Sequence, residues 1–403
     1  PWRVDGLYGG AWYHWPPLTV RPEDFGDITA IYVSHIHPDH CCSQTLSRLP
    51  KVPVYIGSYI EPFLRKHVES LGFEVRECAP WQRVDLGAGL TLQVVPADNC
   101  DPVACGAFFG CTVQAVDGRS SQVDSLAVFE ADGTRVLNVN DCPYTLSRSA
   151  LNRVLAGGPI DLLLTGYAGA GPWPQCFAMS EAEQAKAAEA KQAQFISQMA
   201  RFVDHVRPRW YVPFAGQYVL GGRLYSLNRY RGVPELDDLP DDPRLVRLPR
   251  GGHIDLATGC ASRWVPPSDE ARWTSAASEL TTKWLDFERD DMPSFSGMNS
   301  VIADAELGLR RRCASRGLVP DWTVWVMFSG GRAYAGSRRI TWETSLLDKL
   351  IGIEADARLW QRILTRQPGY NFNNMEIGSQ LVFTRQPNVY DRGLMTALSY
   401  FHV

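Results

Sequence analysis

The sequence predicts a layered α/β sandwich. Strand-like runs alternate with helical ones, a tight hairpin joins two of the strands, and one long capped helix sits between two further strands. Residues 28–34 (ITAIYVS) form a β-branched apolar run that reads as a buried strand. A short helical stretch, QTLSRLP, leads to a second strand at 51–57 (KVPVYIG). EPFLRKHVESLG has apolar residues at helical spacing and ends at Gly72, a C-cap residue. FEVREC, LTLQVVPA, SLAVFEADGTRVLNVND and DLLLTG follow as strands, with Asp132-Gly133 marking the hairpin. The clearest helix is 180–206, where Ser180 and Glu183 make a capping box and Pro208 stops the chain from continuing. WYVPFAG (210–216) returns as a strand.

Residues 228–250, rich in Arg, Asp and Pro, read as a surface excursion, and 265–275 as a boundary. The expected organisation is a metal-binding domain over 1–264 and a C-terminal mixed helical and strand region over 265–403 that packs on the active site or lids it.

Composition narrows the function. Of the 403 residues, 45% are hydrophobic and 21% charged, as in ordinary globular proteins, and the formal net charge is −4. No basic field argues for nucleic acid, and no polybasic or long apolar segment argues for a membrane. A cytoplasmic protein with reduced thiols is expected, since no signal peptide precedes the ten cysteines and none of them forms a CxxC pair. Cys105 and Cys111 are close enough in sequence to bridge. The 13 Trp, 15 Tyr and 16 Phe suit an enzyme with a lined pocket for a small-molecule substrate.

The histidines carry the chemistry. There are eight, and His35, His37 and His40 fall within six residues, in Ser34-His35-Ile36-His37-Pro38-Asp39-His40, directly after the first strand. On extended backbone His35 and His37 point the same way, and the turn at Pro38 swings Asp39 and His40 towards a neighbouring point. Imidazoles and a carboxylate at this spacing suit two adjacent divalent cations. The weaker candidates are His253 as a substitute ligand, the Tyr167–Gly171 turn as a substrate loop, and Cys41 and Cys42, whose expected role is small and buried. Arg65, Lys66 and His67, and the pair Asp290-Asp291, read as solvated surface.

HxHxDH is the signature of the metallo-β-lactamase fold, and the chain resembles a member of that superfamily. The resemblance implies an αββα sandwich with the metals at one edge. Asp141, in LNVNDC, matches the carboxylate that bridges the two metals, although an Asp after a strand is also a common turn residue. Asp39 and Asp141 are the catalytic candidates. Two further histidines of the pattern are absent. The segment after LTLQVVPA reads Asp98-Asn99-Cys100-Asp101-Pro102, and VPFAG places Ala215 where a histidine would stand. Asp98 or Asp101 could take the vacant place, giving candidate metal ligands His35, His37, Asp39, His40, Asp141, Asp98 and Asp101.

Within the superfamily, AIYVSHIHPDH, KVPVYIG, RVLNVNDC, RPRWYVPFAGQYV and GGHIDL resemble the catalytic region of the CMP-N-acetylneuraminate hydroxylases. PWRVDGLYGGAWYHWPP and MEIGSQLVFTRQPNVYD resemble the two ends of that region, so the likeness runs over nearly the whole chain and is patchy between 265 and 360. Those enzymes use iron and O2 and also carry a Rieske iron–sulfur domain, whose ligand clusters this sequence lacks; a separate electron donor is therefore expected. A carboxylate-rich, histidine-poor centre favours an iron oxygenase that hydroxylates a C–H or N–H bond of a small polar biosynthetic molecule. A zinc- or manganese-dependent hydrolase of an ester, amide or phosphodiester is the alternative, and a non-catalytic binding module the third reading.

Overall fold

The computed structural model describes residues 6–18, 20–59, 61–96, 124–216, 218–265, 269–330 and 334–403. Strand β1 (Trp12–Tyr13) opens the described chain. A parallel three-stranded sheet follows, built from β2 (Ile31–Tyr32), β3 (Val54–Gly57) and β4 (Val75–Cys78) in that order. Parallel neighbours need crossover connections, and α1 (Ser43–Ser47) and α2 (Phe63–Ser70) supply them. The two-residue period of β3 sorts its side chains. Val54 and Ile56 pack with Leu46, Leu64 and Val68 of the helices, while Tyr55 points the other way.

The second sheet has six strands: β5 (Arg83–Gly87), β6 (Leu90–Pro96), β7 (Ser125–Ala131), β8 (Thr134–Asn138), β9 (Leu162–Gly166) and β10 (Trp210–Phe214). β5 to β8 run as an antiparallel meander, and β8, β9 and β10 are parallel. Helices α3 (Tyr144–Ala156) and α4 (Glu181–Val206) make the parallel crossovers. Alternation again assigns the faces. Leu92, Val94 and Ala127 meet Tyr55 and Cys78 between the sheets, while Val95, Leu126, Val128 and Leu137 pack beneath Met199, Phe202 and Val203 of α4. The layers are therefore helix, sheet, sheet, helix, the expected αββα sandwich.

Local signals explain the joints. The β7–β8 hairpin turns at Asp132 (φ 48°) and Gly133 (φ 75°), the two positive φ values a type I′ turn requires. In α4 the Ser180 hydroxyl accepts from the Glu183 N–H at 3.3 Å, and the Glu183 carboxylate accepts from the Ser180 N–H at 2.9 Å.

Strand β11 (Val219–Leu220) pairs back onto β1. The C-terminal residues form α5 (Asp269–Leu280), α6 (Phe295–Ser315) and a mixed sheet ordered β13-β12-β14-β15. Its strands are β12 (Thr323–Ser329), β13 (Ala335–Ile340), β14 (Leu350–Asp356) and β15 (Val382–Gln386). Helices α7 (Ala357–Leu364), α8 (Phe372–Ile377) and α9 (Arg392–Leu398) complete the region. One core joins Trp322, Trp360, Phe383 and Phe401 to Tyr8 and Trp12 of the entry segment and to Phe177. The backbone of Phe383 exchanges hydrogen bonds of 2.8 Å with Cys176 and Ala178, which holds β15 against the segment leading into α4.

Several sequence expectations shift. The run at 28–34 makes only a two-residue strand, because the chain leaves the sheet to deliver the histidines. Residues 228–250 are not purely a surface excursion. Tyr230, Arg231 and Leu239 are buried, and Leu245 bridges to Tyr211 of β10. Asp290 is held by Arg362 at 2.5 Å, and His67 lies 3.0 Å from the Ser43 hydroxyl. Cys41 and Cys42 are buried as expected. Cys105 and Cys111 lie outside the described residues, as do Asp98, Asn99, Cys100 and Asp101. No helix among the described residues is long and apolar enough to cross a membrane.

Truncating the fully buried Leu137 to Ala should cost about 2–5 kcal/mol. Ser180→Ala should cost about 1 kcal/mol through the lost cap. Urea midpoints at constant slope measure both.

Candidate metal centre

The site forms where β2 and β8 end. Past β2, His35 and His37 stand side by side, with ring centroids 4.7 Å apart. The backbone N–H groups of His40 and Cys41 then both donate to the His37 carbonyl, at 2.9 and 2.8 Å. That turn returns the His40 ring to 4.2 Å from His35. Past β8, Asn140 sits at φ 48°, a left-handed conformation that Asn tolerates better than most residues. Its side-chain amide donates to the Ser125 carbonyl at 2.6 Å and to the Tyr32 hydroxyl at 3.2 Å. So anchored, the backbone reverses and presents Asp141 to the imidazoles.

Two clusters result, each with ligand atoms within 4.8 Å of one another: His35, His37 and Asp141, and Asp39, His40 and Asp141. Asp141 belongs to both. Its Oδ2 lies 3.2 Å from His40 Nε2 and 3.7 Å from His35 Nε2. The Asp141 side chain is 45% exposed, at the open side of the cluster, whereas His35 is 1% exposed.

Burial alone would raise the Asp141 pKa; the hydrogen bond and charge of His40, with the charges of His35 and His37, outweigh it and hold the carboxyl at about 2. Burial likewise opposes the charged form of His40, but Asp141, then Asp39, lift it to about 9. His37 is pushed down, by burial first and then by His35.

Two residues outside the sequence prediction organise the ligands. Asp124, 8% exposed, accepts from the N–H groups of Ser125 and Asp141 at 2.7 and 2.8 Å. Its Oδ1 also lies 3.3 Å from His35 Nδ1. A proton on Nδ1 facing Asp124 leaves the Nε2 lone pair directed into the cluster. His35 Nε2 is buried with no hydrogen-bond partner, as expected of an atom meant for a cation. Tyr8 donates its hydroxyl to Asp39 Oδ1 at 2.5 Å. Burial and then the Asp39 charge push the Tyr8 phenol well above its ordinary pKa, so it remains a donor. In the sequence Asp124 is only one Asp before a strand, and Tyr8 one aromatic of many; neither carries a motif.

The other candidates lie elsewhere. His253 pairs with Ser262 and joins neither cluster. A cavity of about 400 Å3 opens onto Asp39 and His40, lined also by Trp12, His14, Tyr167, Ala215 and Arg250. Ala215 thus faces the site from the position where the resembled pattern has a histidine, and a methyl group offers no ligand. His14, unmarked by any motif, shares this cavity.

Residues 4–213 match the family model of the β-lactamase superfamily domain, just over half of the chain. The chain belongs to the β-lactamase superfamily. It is 26% identical over 230 residues to the cytidine monophosphate-N-acetylneuraminic acid hydroxylase of Mus musculus, which takes in 54% of this chain and 35% of that protein. The chain thus spans about a third of that relative's length, and the similarity is less extensive than the near-complete likeness expected from sequence. Among solved structures, CmlA, a diiron β-hydroxylase from Streptomyces venezuelae, matches at 15% identity and a TM-score of 0.33 over 53% of this chain and 40% of its own. The short form of human tRNase Z matches at 14% and 0.28, over 49% of this chain and 84% of its own. The superfamily fold and enzyme relatives go with a His/Asp cluster that could hold metal.

Asp124→Asn should weaken metal binding about 10–100-fold while leaving the fold intact, read by metal titration beside circular dichroism. In the metal-free protein a pH signature follows. His40, raised from 6.5 to about 9, contributes stability that is complete below 6.5 and lost as pH rises through about 9. Asp141, lowered from 3.8 to about 2, contributes stability present above 3.8 and lost as pH falls through about 2. The urea midpoint of the metal-free protein should therefore fall between neutral pH and about 9, and Asp141→Asn should flatten that slope.

Proposed function

We propose that this chain is a dinuclear non-haem iron oxygenase that uses O2 to hydroxylate a C–H or N–H bond of a small polar biosynthetic molecule. The observation that carries the reading is the donor set. His35, His37 and Asp141 make a two-histidine, one-carboxylate cluster, the type that suits non-haem Fe(II) in oxygenases. Asp39, His40 and Asp141 make a harder, carboxylate-rich neighbour. The similarity to a hydroxylase supports the same chemistry.

The buried, unpartnered His35 Nε2 supports a cation among these donors. His35 and His37 would hold one ion and Asp39 and His40 the other, with Asp141 shared. Bound iron would supply redox chemistry with O2, whereas bound zinc or manganese would supply an acidic water for hydrolysis.

The residues themselves do the positioning. Asp124 faces His35 Nδ1, beside the Ser34 hydroxyl, and ties down the Asp141 backbone. Tyr8 holds Asp39 through one oxygen and leaves Oδ2 facing His40 at 3.6 Å. Trp12 and Tyr218, stacked with ring centroids 3.9 Å apart, form an aromatic wall of the cavity. Hydroxylation places one oxygen atom of O2 in the substrate and reduces the other to water, which takes two electrons and two protons from a separate donor. A hydrolase at the same residues is the second reading, favoured by the cavity opening directly on Asp39 and His40.

Anaerobic loading with Fe(II) or Zn(II), followed by metal analysis and oxygen-electrode measurements, separates these readings. The expected result is about two irons per chain and O2 uptake with iron only, with Asp141→Ala losing most of the metal and the uptake. Zinc-dependent ester or phosphodiester turnover without O2 would establish the hydrolase. Absence of bound metal would leave the non-catalytic module.

A further inference from the structure

A second cavity, of about 630 Å3, borders α8. Asn373 of α8 lines it, and the Asn373 side-chain oxygen is 3.3 Å from His37 Nε2. Its walls are mostly apolar, with Trp173, Phe177, Phe372 and Phe383 prominent.

Lys191 of α4, Arg385 of β15, Glu376 of α8 and the Tyr390 phenol also face this cavity. Lys191 donates one hydrogen bond, to the Trp173 carbonyl at 2.6 Å. Arg385 donates to Asn388 Oδ1 at 2.9 Å and lies 4.7 Å from the Phe177 ring centroid and 5.7 Å from that of Trp173. Lys191 thus meets the Trp173 backbone, and Arg385 the Trp173 ring. Neither forms a salt bridge among the described residues, and each keeps N–H groups to spare. Glu376 is the single acid in the lining, and its side chain makes no hydrogen bond among the described residues. While Lys191 is protonated, two cations stand against one acid, and the lining carries net positive charge.

Burial acts on Lys191, Glu376 and Arg385. It pushes Lys191 down to about 8 and Glu376 up to about 8, and it lowers Arg385. Glu376 offsets part of the Arg385 charge, and cations held out of water with too little counter-charge are stabilised by an anion that brings more. An amine ligand would face two like charges. A neutral ligand would bring no counter-charge.

We propose that this cavity binds a small monocarboxylate with an aromatic or branched apolar body, its carboxylate between Lys191 and Arg385 and its body against Trp173, Phe177 and Phe383. The site is separate from the cavity that opens on Asp39 and His40. Asn373 and Glu376 are three residues apart on α8, so a ligand lying on this helix face reaches the residue that touches His37. If the metal-centre reading holds, such an acid is the part of the substrate that positions without reacting. The binding itself needs no metal.

Calorimetric titration of the metal-depleted full chain with 3-phenylpropionate, its amide and 3-phenylpropylamine tests the proposal. The acid should bind at least about tenfold more tightly than either analogue, and more weakly as salt rises. Lys191→Met and Arg385→Met should each lose about tenfold, while Glu376→Gln keeps or strengthens acid binding. Equal binding of the amide, tighter binding of the amine, or no binding of the acid would overturn the proposal. The three-ligand comparison on the unaltered chain decides the matter even if a variant fails to fold. Metal content, measured separately, keeps the two readings apart: a chain that binds the acid but no metal retains this site and loses the metal centre, and a chain that binds metal but not the acid does the reverse.

Discussion

The carboxylate of Asp124 is the contact on which the centre depends. It sits at the start of β7 and reaches two separate pieces of chain, the histidine turn after β2 and the aspartate turn after β8. Buried carboxylates are costly unless their oxygens are used, and here both are. Oδ1 takes the Ser125 N–H and faces His35, and Oδ2 takes the Asp141 N–H. Orientation of one ligand and placement of another are thereby linked in one group. Around it, the Tyr59 hydroxyl donates to the Ser34 carbonyl at 2.6 Å, and Tyr32 lies 2.9 Å from the Ser125 hydroxyl. These bonds pin the ends of the two sheets together beneath the cluster.

Electrostatics around the cluster have a gradient. His40 and the carboxylate of Asp141 bring opposite charges together at the junction of the sheets, and a cation there would replace the proton that now holds them together. On the Asp39 side the cavity meets Arg250, which burial, with the neighbouring Arg272, lowers to about 10. On the His37 side lie Lys191 and Arg385. Both cavities therefore hold cationic side chains, although the chain as a whole carries a net charge of −4. Such local fields select ligands by charge before any contact with the reacting groups is made.

The strands of the sandwich could be read from their β-branched runs because each lies in a layer with one fixed partner face. The helix at 144–156 was harder to read: Leu146, Ala150, Leu151 and Val154 are at helical spacing, but Pro143 and the adjacent Asp141 turn mask its start. The buried stretch near Arg231 was misread because charge-rich composition suggests solvent, whereas its guanidinium donates to the Tyr218 carbonyl and lies 4.9 Å from that ring.

His35, His37, Asp39, His40 and Asp141 were legible from sequence because the first four share one short turn and the fifth ends a strong strand. Local backbone geometry is enough to bring such residues near one another. Asp124, Tyr8, Asn373 and the pair Lys191 and Arg385 were not legible, because each acts across tens or hundreds of residues and none belongs to a local pattern. Their meaning comes from packing: which strand ends adjoin, which helix lies over the cluster, and which charges are left facing a cavity. The sequence by itself determined a layered α/β chain with a histidine and carboxylate cluster. Only the tertiary structure decided how that cluster is oriented and what surrounds it, since burial and long-range proximity exist only once the layers have closed.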